Sequence, residues 1–397
     1  MSVKRLGLWL IAAMLASPLA ATPPSVPPPG SPALASLGTL AVGRTTLNLS
    51  AEAAARPLRV ILWYPAAPAK GTVAPAPYRW RVVAPPPLPA IDVSFAALAA
   101  ENAAPAAGRH PLIIVSHGFG SSPEHMSYLG ENLASKGYVV AGIDHADPSY
   151  ADAATFQKAF GQAAAFRARD QQRVIAALTQ PAAPASSRID ARKIAVIGYS
   201  MGGFGALATA GSGYDPSSVV MKSLAPDAMA DQAEGRRADP RLKAVVAIAP
   251  WGAQAPYRAW SPRGLAAVRV PLLVIAGEAD DVSNYADGIR PAFEAATGSD
   301  RYLLLYRAAS HNVGGNPLPA EAATLAEYRG FFEEPVWRTE RLNAINLHFV
   351  TAFLGRHLKN DAAHAAMLEP PAAGAEWPGF PRRSALGFEL IHRAPAP

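Results

Sequence analysis

The sequence predicts an α/β domain with a mostly parallel, doubly wound sheet, helices on both faces and lid-like insertions. From residue 110 onward, short apolar runs alternate with longer segments of helical periodicity. Runs that are apolar throughout are typical of strands buried on both faces, as in parallel sheets covered by helices. The predicted strands are 111–116, 137–144, 193–198, 242–249, 270–276 and 301–306, and the predicted helices are 124–136, 155–178, 201–210 and 339–358.

The composition excludes several classes of protein. Half of the 397 residues are hydrophobic, which is enough apolar surface to bury a large core and excludes wholesale disorder. The chain has no cysteine, so disulfides, thiol nucleophiles and cysteine metal sites are excluded. The formal charge is +6, but lysines and arginines are scattered without runs longer than a pair. This pattern indicates a solvated basic surface and no nucleic-acid partner.

Residues 1–21 predict a secretory signal peptide. Lys4 and Arg5 precede an apolar run of about a dozen residues, and small residues follow at Ala20 and Ala21. The run is shorter than the ~20 residues that a membrane-spanning helix needs. We therefore expect an exported protein, periplasmic or extracellular, without a stable membrane anchor after cleavage.

The rest of the chain divides by composition. Residues 22–36 are rich in Pro and Ala and predict a linker, one α/β domain is expected over 37–360, and residues 361–397 are expected to form a C-terminal tail. Two strands at about 44–48 and 58–65 are predicted to pair antiparallel at a sheet edge. The Ala- and Pro-rich stretch 66–109 is not assigned. The irregular segments that could cover a site are 212–240, 251–268 and 312–338.

A serine on a sharp turn is the first catalytic signal. Residues 198–202 match the pattern G-x-S-x-G and lie between a predicted strand and a predicted helix. In that context a strained turn pushes the serine side chain outward, and the flanking glycines let strand and helix approach each other. Ser200 is therefore the predicted nucleophile, and a purely structural tight turn is the alternative.

A serine hydroxyl needs a base, which is in turn oriented by an acid. In this arrangement the acid and the histidine follow the serine in that order, on turns after later strands. Asp280 comes directly after the strand at 270–276, with Glu278 and Asp281 as rivals or as simple helix caps. His311 lies on a loop after the strand at 301–306 and completes the order. We expect Asp280 and His311 to complete a triad with Ser200.

The negative charge that develops on a substrate oxygen needs preorganised donors. We expect these donors to be the backbone N–H groups of Met201, directly after the nucleophile, and of Phe119, in the glycine-rich turn at 116–120. His145 and Trp251 follow two other strands and are candidates for the pocket wall, as are Tyr78, Tyr257 and Trp260. A metal site at His145 and Asp147 is not supported, because a pair of ligands binds a metal weakly.

These segments resemble the α/β-hydrolases, and more narrowly the branch that contains dienelactone-hydrolase-like proteins and platelet-activating-factor acetylhydrolases. The resemblance covers about residues 37–360 and implies the α/β-hydrolase fold, with Ser200, Asp280 and His311 as the triad. True dienelactone hydrolases use a cysteine nucleophile, so a lactone substrate is not implied here. The similar segments are Leu-Trp-Tyr-Pro at 62–65, Ser-His-Gly-Phe-Gly at 116–120, Gly-Tyr-Ser-Met-Gly-Gly at 198–203, Gly-Glu-Ala-Asp at 277–280, Ser-His at 310–311 and the stretch 341–354.

We therefore expect a secreted serine hydrolase that cleaves small-molecule carboxylic esters through an acyl-enzyme. Lipid esters and short-chain acyl esters are the candidate substrates, and neither a cofactor nor a metal is expected. Two alternatives stay open from the sequence. A peptidase or amidase could use the same triad, and a non-catalytic protein could bind a hydrophobic ligand on the same fold.

Overall fold

The centre of the fold is a twisted sheet whose strands come from nearly the whole length of the chain. The computed structural model describes residues 28–50, 56–68, 75–83, 88–148, 152–183, 185–222, 237–372 and 374–396. The predicted signal peptide, residues 1–21, lies outside the described residues. The strands are β1 (Ala41–Leu49), β2 (Leu58–Ala66), β3 (Tyr78–Val82), β4 (Ile91–Phe95), β5 (Ala100–Glu101), β6 (His110–Ser116), β7 (Val139–Asp144), β8 (Ile189–Tyr199), β9 (Leu242–Ile248), β10 (Leu272–Gly277), β11 (Arg301–Tyr306) and β12 (Phe388–Arg393).

The helices lie between the strands. They are α1 (Ser127–Ser135), α2 (Ala153–Thr179), α3 (Met201–Thr209), α4 (Val219–Lys222), α5 (Pro262–Ala266), α6 (Arg290–Ala295), α7 (Ala326–Phe332), α8 (Thr339–Lys359) and α9 (Ala362–Ala366). Short 3-10 turns occur at Ala33–Ala35, Pro123–Met126 and Ser186–Arg188. Within the described part of the chain, no helix combines the length and the apolar character that crossing a membrane requires.

Among the described residues, ten strands form one sheet in the order β12-β11-β10-β9-β8-β6-β7-β2-β1-β5. The six strands from β11 to β7 run parallel, whereas β12 at one side and β2 with β1 at the other pair antiparallel. Each face of the sheet has its own apolar core, with α1 and α8 on one face and α2, α3, α5 and α6 on the other. The predicted fold class, a mostly parallel sheet covered on both faces, is confirmed.

The domain extends beyond the predicted boundaries at both ends. β12, in the predicted C-terminal tail, pairs with β11 from Arg301 opposite Arg393 to Tyr306 opposite Phe388 and so completes the sheet. In the predicted linker, Ala35 is 1% exposed, and its carbonyl accepts a hydrogen bond of 2.9 Å from Asn132 Nδ2 on α1. Residues 22–36 contain Val26 and Leu34 as their large apolar residues, which gives little sign that this segment packs on the domain, whereas β12 contains Phe388, Leu390 and Ile391.

Part of the unassigned stretch 66–109 forms a cap beside the carboxyl ends of the strands. We call β3, β4 and α7 the cap, because β3 and β4 pair as a separate two-stranded sheet that lies against α7. Trp80 on β3 packs edge-on against Phe332 of α7, with ring centroids 5.9 Å apart. Ser94 Oγ on β4 donates a hydrogen bond of 2.5 Å to Glu321, just before α7. These contacts hold the β3–β4 hairpin against the segment of α7, which lies more than 200 residues later in the sequence.

Candidate active site

Ser200 lies on a strained turn between β8 and α3, where its φ is 53° and its ψ is −114°. A Cβ added to Gly198 would lie 2.1 Å from the carbonyl oxygen of Gly202, and one added to Gly202 would lie 2.0 Å from that of Ser116. Because real atoms cannot approach so closely, only glycine lets strand and helix meet here. The Ser200 N–H donates a 2.8 Å hydrogen bond to the Ile248 carbonyl, which fixes the turn on β9.

A chain of two hydrogen bonds joins the three predicted triad residues. His311 Nε2 lies 3.0 Å from Ser200 Oγ, and His311 Nδ1 lies 2.9 Å from Asp280 Oδ2. An ionised carboxylate only accepts hydrogen bonds, so Nδ1 carries the ring proton and Nε2 accepts the proton of the serine hydroxyl. The arrangement can therefore withdraw the hydroxyl proton as Ser200 Oγ attacks an electrophile.

Local bonds hold Asp280 in this orientation. Its side chain is fully buried, and Oδ1 accepts backbone hydrogen bonds from Val282 at 3.0 Å and Ser283 at 2.7 Å. Oδ2 is thereby directed to His311. The two rival carboxylates lie elsewhere, since Asp281 is exposed and Glu278 is in a surface ion pair of 2.5 Å with Arg307. The structure thus joins Asp280, and neither rival, to the imidazole.

The turn that carries Phe119 lies against Ser200. We call residues 117–120 the oxyanion loop, and a Cβ added to Gly118 would lie 3.3 Å from Ser200 Cβ. Arg167 donates to the Gly118 carbonyl at 3.2 Å, and the Gly120 N–H donates to Asp147 at 2.9 Å. Arg167 and Asp147 are themselves joined by two hydrogen bonds of 2.6 Å. One buried ion pair therefore anchors the backbone on both sides of Phe119.

The structure corrects the predicted place of His145. The ring is fully buried, with Nε2 2.8 Å from Ser116 Oγ and Nδ1 2.8 Å from Asp170. Both ring nitrogens are therefore used beneath the oxyanion loop, and His145 does not line an open pocket. Burial, together with the charge of Arg167, holds the pKa of His145 well below its ordinary value, which favours the neutral ring. The sequence placed this residue after a strand but could not show which way the turn directs it.

Trp251 lies beside Ser200, and its backbone N–H donates a 3.2 Å hydrogen bond to the Ser200 carbonyl. Its ring packs on Phe160 with centroids 4.7 Å apart, and Phe160 packs on Phe119 at 5.1 Å. Tyr257 contacts Trp251 at 4.6 Å, and Phe156 contacts Phe119 at 5.6 Å with 37% of its surface exposed. We call these five residues the aromatic cluster. It gives the site an apolar side formed by rigid rings.

Two of the aromatic residues that the sequence offers for the pocket wall, Tyr78 and Trp260, are not part of the aromatic cluster. The Tyr78 hydroxyl is buried in a network, where it accepts from Trp63 Nε1 at 2.7 Å and donates to Glu131 at 2.6 Å. Trp260 is buried against Phe204, with ring centroids 5.3 Å apart. Both side chains therefore belong to the packed interior.

The sequence does not predict the contacts that three polar residues make around the site: Asp147, which it offers only as a weak metal partner of His145, Arg167 and Glu334. The first two anchor the oxyanion loop, and Glu334 accepts hydrogen bonds from the loop that carries His311. Each of these side chains bonds to a partner at least 20 residues away in the sequence, so no local motif identifies it. Among the residues that the structure describes, no group of three or more His, Asp and Glu side chains is arranged to hold a metal ion.

The Asp147–Arg167 pair predicts an acid-sensitive contribution to stability. Burial alone would raise the pKa of Asp147, but the charge and hydrogen bonds of Arg167 outweigh it and hold the pKa below its ordinary value. Stabilisation is then complete above the unfolded pKa of about 3.9 and is lost as the pH falls below it. We expect Asp147→Asn to lower the free energy of unfolding at pH 7 by about 3–5 kcal/mol, because Arg167 is left buried without its counter-charge.

Urea unfolding followed by circular dichroism between pH 3 and 7 measures this contribution. The wild type should lose stability toward pH 3 more steeply than the Asp147→Asn variant. The matched control is Asp92→Asn, which breaks an ion pair of 2.8 Å to Arg81 whose side chains are 74% and 62% exposed. That change should cost less than ~1 kcal/mol. Equal pH dependence in wild type and Asp147→Asn would contradict the assignment.

Comparison with known proteins identifies similar sequences. Residues 101–231 match a family model described as PET hydrolase-like. Cutinase est2 of Thermobifida alba is 26% identical over 200 residues, which cover 50% of this chain and 52% of that protein. Cutinase 2 of Thermobifida cellulosilytica is 28% identical over 185 residues, or 46% and 53% of the two chains. The chain thus spans about half the length of the curated relatives it matches.

A solved structure is similar over a larger share of the chain. The ferulic acid esterase from Streptomyces cinnamoneus superimposes with a TM-score of 0.60, covering 92% of this chain and 100% of that one. The two sequences are 22% identical over the match, so the likeness establishes the fold.

Proposed function

We propose that the chain is a serine hydrolase of the α/β-hydrolase superfamily and that it cleaves carboxylic esters through an acyl-enzyme. The observation that carries the proposal is the hydrogen-bonded chain from Ser200 through His311 to Asp280, located at the carboxyl ends of the parallel strands. Such a chain is the constellation that activates a hydroxyl for acyl transfer. The ester hydrolases among the similar proteins support the same reaction class.

Acylation begins when His311 Nε2 takes the proton of Ser200 and Oγ bonds to the ester carbonyl carbon. The carbonyl oxygen becomes an oxyanion, which the N–H groups of Met201 and Phe119 would stabilise. When the intermediate collapses, the bond to the alkoxide breaks, and His311 returns the proton to the leaving alcohol. In deacylation His311 takes a proton from water, the hydroxide attacks the acyl carbon, and Ser200 Oγ leaves with that proton.

Asp280 supports both half-reactions without reacting itself. Its buried carboxylate holds the proton on Nδ1, so Nε2 of the neutral ring is free to accept a proton. When the imidazole takes the serine proton, the carboxylate stabilises the resulting cation at 2.9 Å. The two backbone bonds on Oδ1 keep the carboxylate from rotating away.

The aromatic cluster supports an apolar acyl group as the part of the substrate bound beside Ser200. Trp251 and Phe119 bring aromatic surface next to the nucleophile turn and the oxyanion loop. Aromatic surface binds apolar groups through burial and through specific ring contacts. We propose esters with short-chain, lipid or aromatic acyl groups as the substrate class.

A panel of p-nitrophenyl esters graded by acyl length, with a benzoyl ester added, tests this function. Wild type should hydrolyse at least one ester well above the rate of a Ser200→Ala control. An amide with the same acyl group separates esterase from amidase, and the ester should be cleaved faster. A folded wild type that cleaves no ester faster than the control would contradict the proposal, and faster amide cleavage would favour an amidase.

We also propose that residues 1–21 direct export of the protein to the periplasm or the medium. The two basic residues, the apolar run and the small residues before residue 22 support this. Mass spectrometry of the protein expressed in a bacterial host should find a mature N-terminus at Thr22 in the exported fraction. Retention of Met1 in a cytoplasmic protein would contradict export.

A further inference from the structure

A buried carboxylate lies beneath the loop that carries His311. Glu334 is 6% exposed, and its Oε2 accepts the N–H of Ser310 at 2.6 Å. Its Oε1 accepts the Ser310 hydroxyl at 2.6 Å and the N–H of Asn312 at 2.7 Å. One side chain therefore binds the residues immediately before and after His311. Neither contact involves the imidazole, which stays directed to Ser200 and Asp280.

The Asn312 side chain adds a second tie between the same two segments. Its Nδ2 donates to the carbonyls of Gly330 at 2.9 Å and Glu333 at 3.0 Å. The loop at 310–312 is thus bonded on both sides to the chain at the end of α7. Since α7 belongs to the cap, this connects the position of the base to the position of the cap.

The second feature of Glu334 is the environment of its charge. In the described part of the chain, no Lys or Arg lies within ion-pair distance of its carboxylate. Taking a carboxylate out of water without a counter-cation is costly, and the three hydrogen bonds offset that cost. Three donors face this side chain, so a carboxylate with two acceptor oxygens binds the loop better than a neutral amide would. The charge of the carboxylate also favours a cation that forms nearby during the reaction.

We propose that Glu334 is a positioning residue, which fixes the His311 loop within reach of both Ser200 and Asp280 and whose charge favours the imidazolium formed during catalysis. This inference rests on the proposed function of the same site. The titratable groups that face His311 are Asp280 at Nδ1 and Tyr199, whose ring stacks on the imidazole at 5.5 Å. Glu334 adds a second negative charge from the cap side.

Replacing Glu334 by glutamine separates this role from simple packing. The amide has nearly the same size but carries no charge and has one oxygen acceptor where the carboxylate has two. One of the three loop bonds must then be lost. We expect kcat for a p-nitrophenyl ester to fall about 10- to 100-fold with KM within about twofold, because the loss acts on the transition state. We also expect the acid limb of the kcat–pH profile to move to lower pH by about 0.5, because removing a nearby negative charge disfavours the imidazolium.

Two further variants make the experiment decisive. Glu333→Gln is the matched control, because the neighbouring Glu333 lies in an exposed i,i+4 pair of 2.9 Å with Arg329 and should leave kcat and the pH profile unchanged. Glu334→Asp keeps the charge but shortens the reach, so kcat should fall while the midpoint of the acid limb stays nearer the wild-type value than in Glu334→Gln. Circular dichroism shows whether each variant is folded.

The outcomes are distinct. A lower kcat with a shifted acid limb in Glu334→Gln, and neither change in Glu333→Gln, supports the proposal. Wild-type kcat and pH profile in folded Glu334→Gln overturn it, as do equal losses in both variants. If Glu334→Gln does not fold, a lower kcat in Glu334→Asp supports the proposal and a wild-type kcat overturns it. A wild type without esterase activity overturns the proposed function and this inference together, whereas an active wild type with an unaffected variant overturns this inference alone.

Discussion

Replacing Ser200 by alanine should lower kcat/KM for p-nitrophenyl esters by about 10⁴-fold or more while the protein stays folded. The change removes the only atom that would bond to the substrate carbon, and each factor of ten corresponds to about 1.4 kcal/mol of barrier. Alanine leaves the glycine contacts of the turn and the backbone bonds of residue 200 in place. Steady-state kinetics and circular dichroism of the purified variant measure the two parts of this expectation.

The control for this variant is Ser217→Ala. Ser217 is exposed, and its hydroxyl donates a 2.7 Å hydrogen bond to Asp215 away from the triad, so its loss should leave turnover unchanged within about twofold. Wild-type turnover by a folded Ser200→Ala protein would show that another residue is the nucleophile or that the reaction needs none.

The second large effect is expected for Asp280→Asn, which should lower kcat by about 10³- to 10⁴-fold. The asparagine oxygen can keep the backbone bonds from Val282 and Ser283, so its NH₂ group then faces His311 Nδ1. Nδ1 must become the acceptor, and the ring proton moves to Nε2. With a proton on Nε2, His311 cannot accept the proton of Ser200. The fold should survive, because the side-chain shape and its backbone bonds are kept.

Asp281→Asn is the matched control, since it makes the same chemical change at the next, exposed residue. Its kcat should stay within about twofold of the wild type. The comparison also decides between the two neighbouring carboxylates that the sequence alone left as rivals. A large loss in Asp281→Asn with an active Asp280→Asn would transfer the role of the acid to Asp281.

The central part of the fold was predictable because parallel strands buried on both faces are apolar throughout. The predicted strand at 301–306 coincides with β11, and the predicted helix at 201–210 ends one residue beyond α3. The edge strands were not predictable in the same way. β12 is an edge strand that pairs with one neighbour, β11. It carries Glu389, His392 and Arg393 among its apolar residues, so its composition resembles that of a half-exposed segment. The β3–β4 hairpin lies within a Pro-rich stretch that hides its pattern.

For the site, the sequence predicted residues that follow strands in a fixed order. Ser200, Asp280 and His311 each come after a strand of the parallel sheet, and the structure joins them by hydrogen bonds. His145 meets the same criterion, yet its ring points into the interior, because the direction of a side chain depends on the turn geometry and on its partners. Glu334 lies in an irregular segment without a motif, and its contacts with the His311 loop form only when α7 packs on the sheet.

The claim on which the account depends is that His311 and Asp280 make Ser200 nucleophilic. The most direct measurement is labelling of the folded protein with a fluorophosphonate probe, followed by intact mass and peptide mapping. We predict a single adduct on Ser200, formed with loss of fluoride, absent from Ser200→Ala and formed far more slowly in Asp280→Asn. A folded wild type that stays unlabelled, or that carries the adduct on a different residue, would contradict the account.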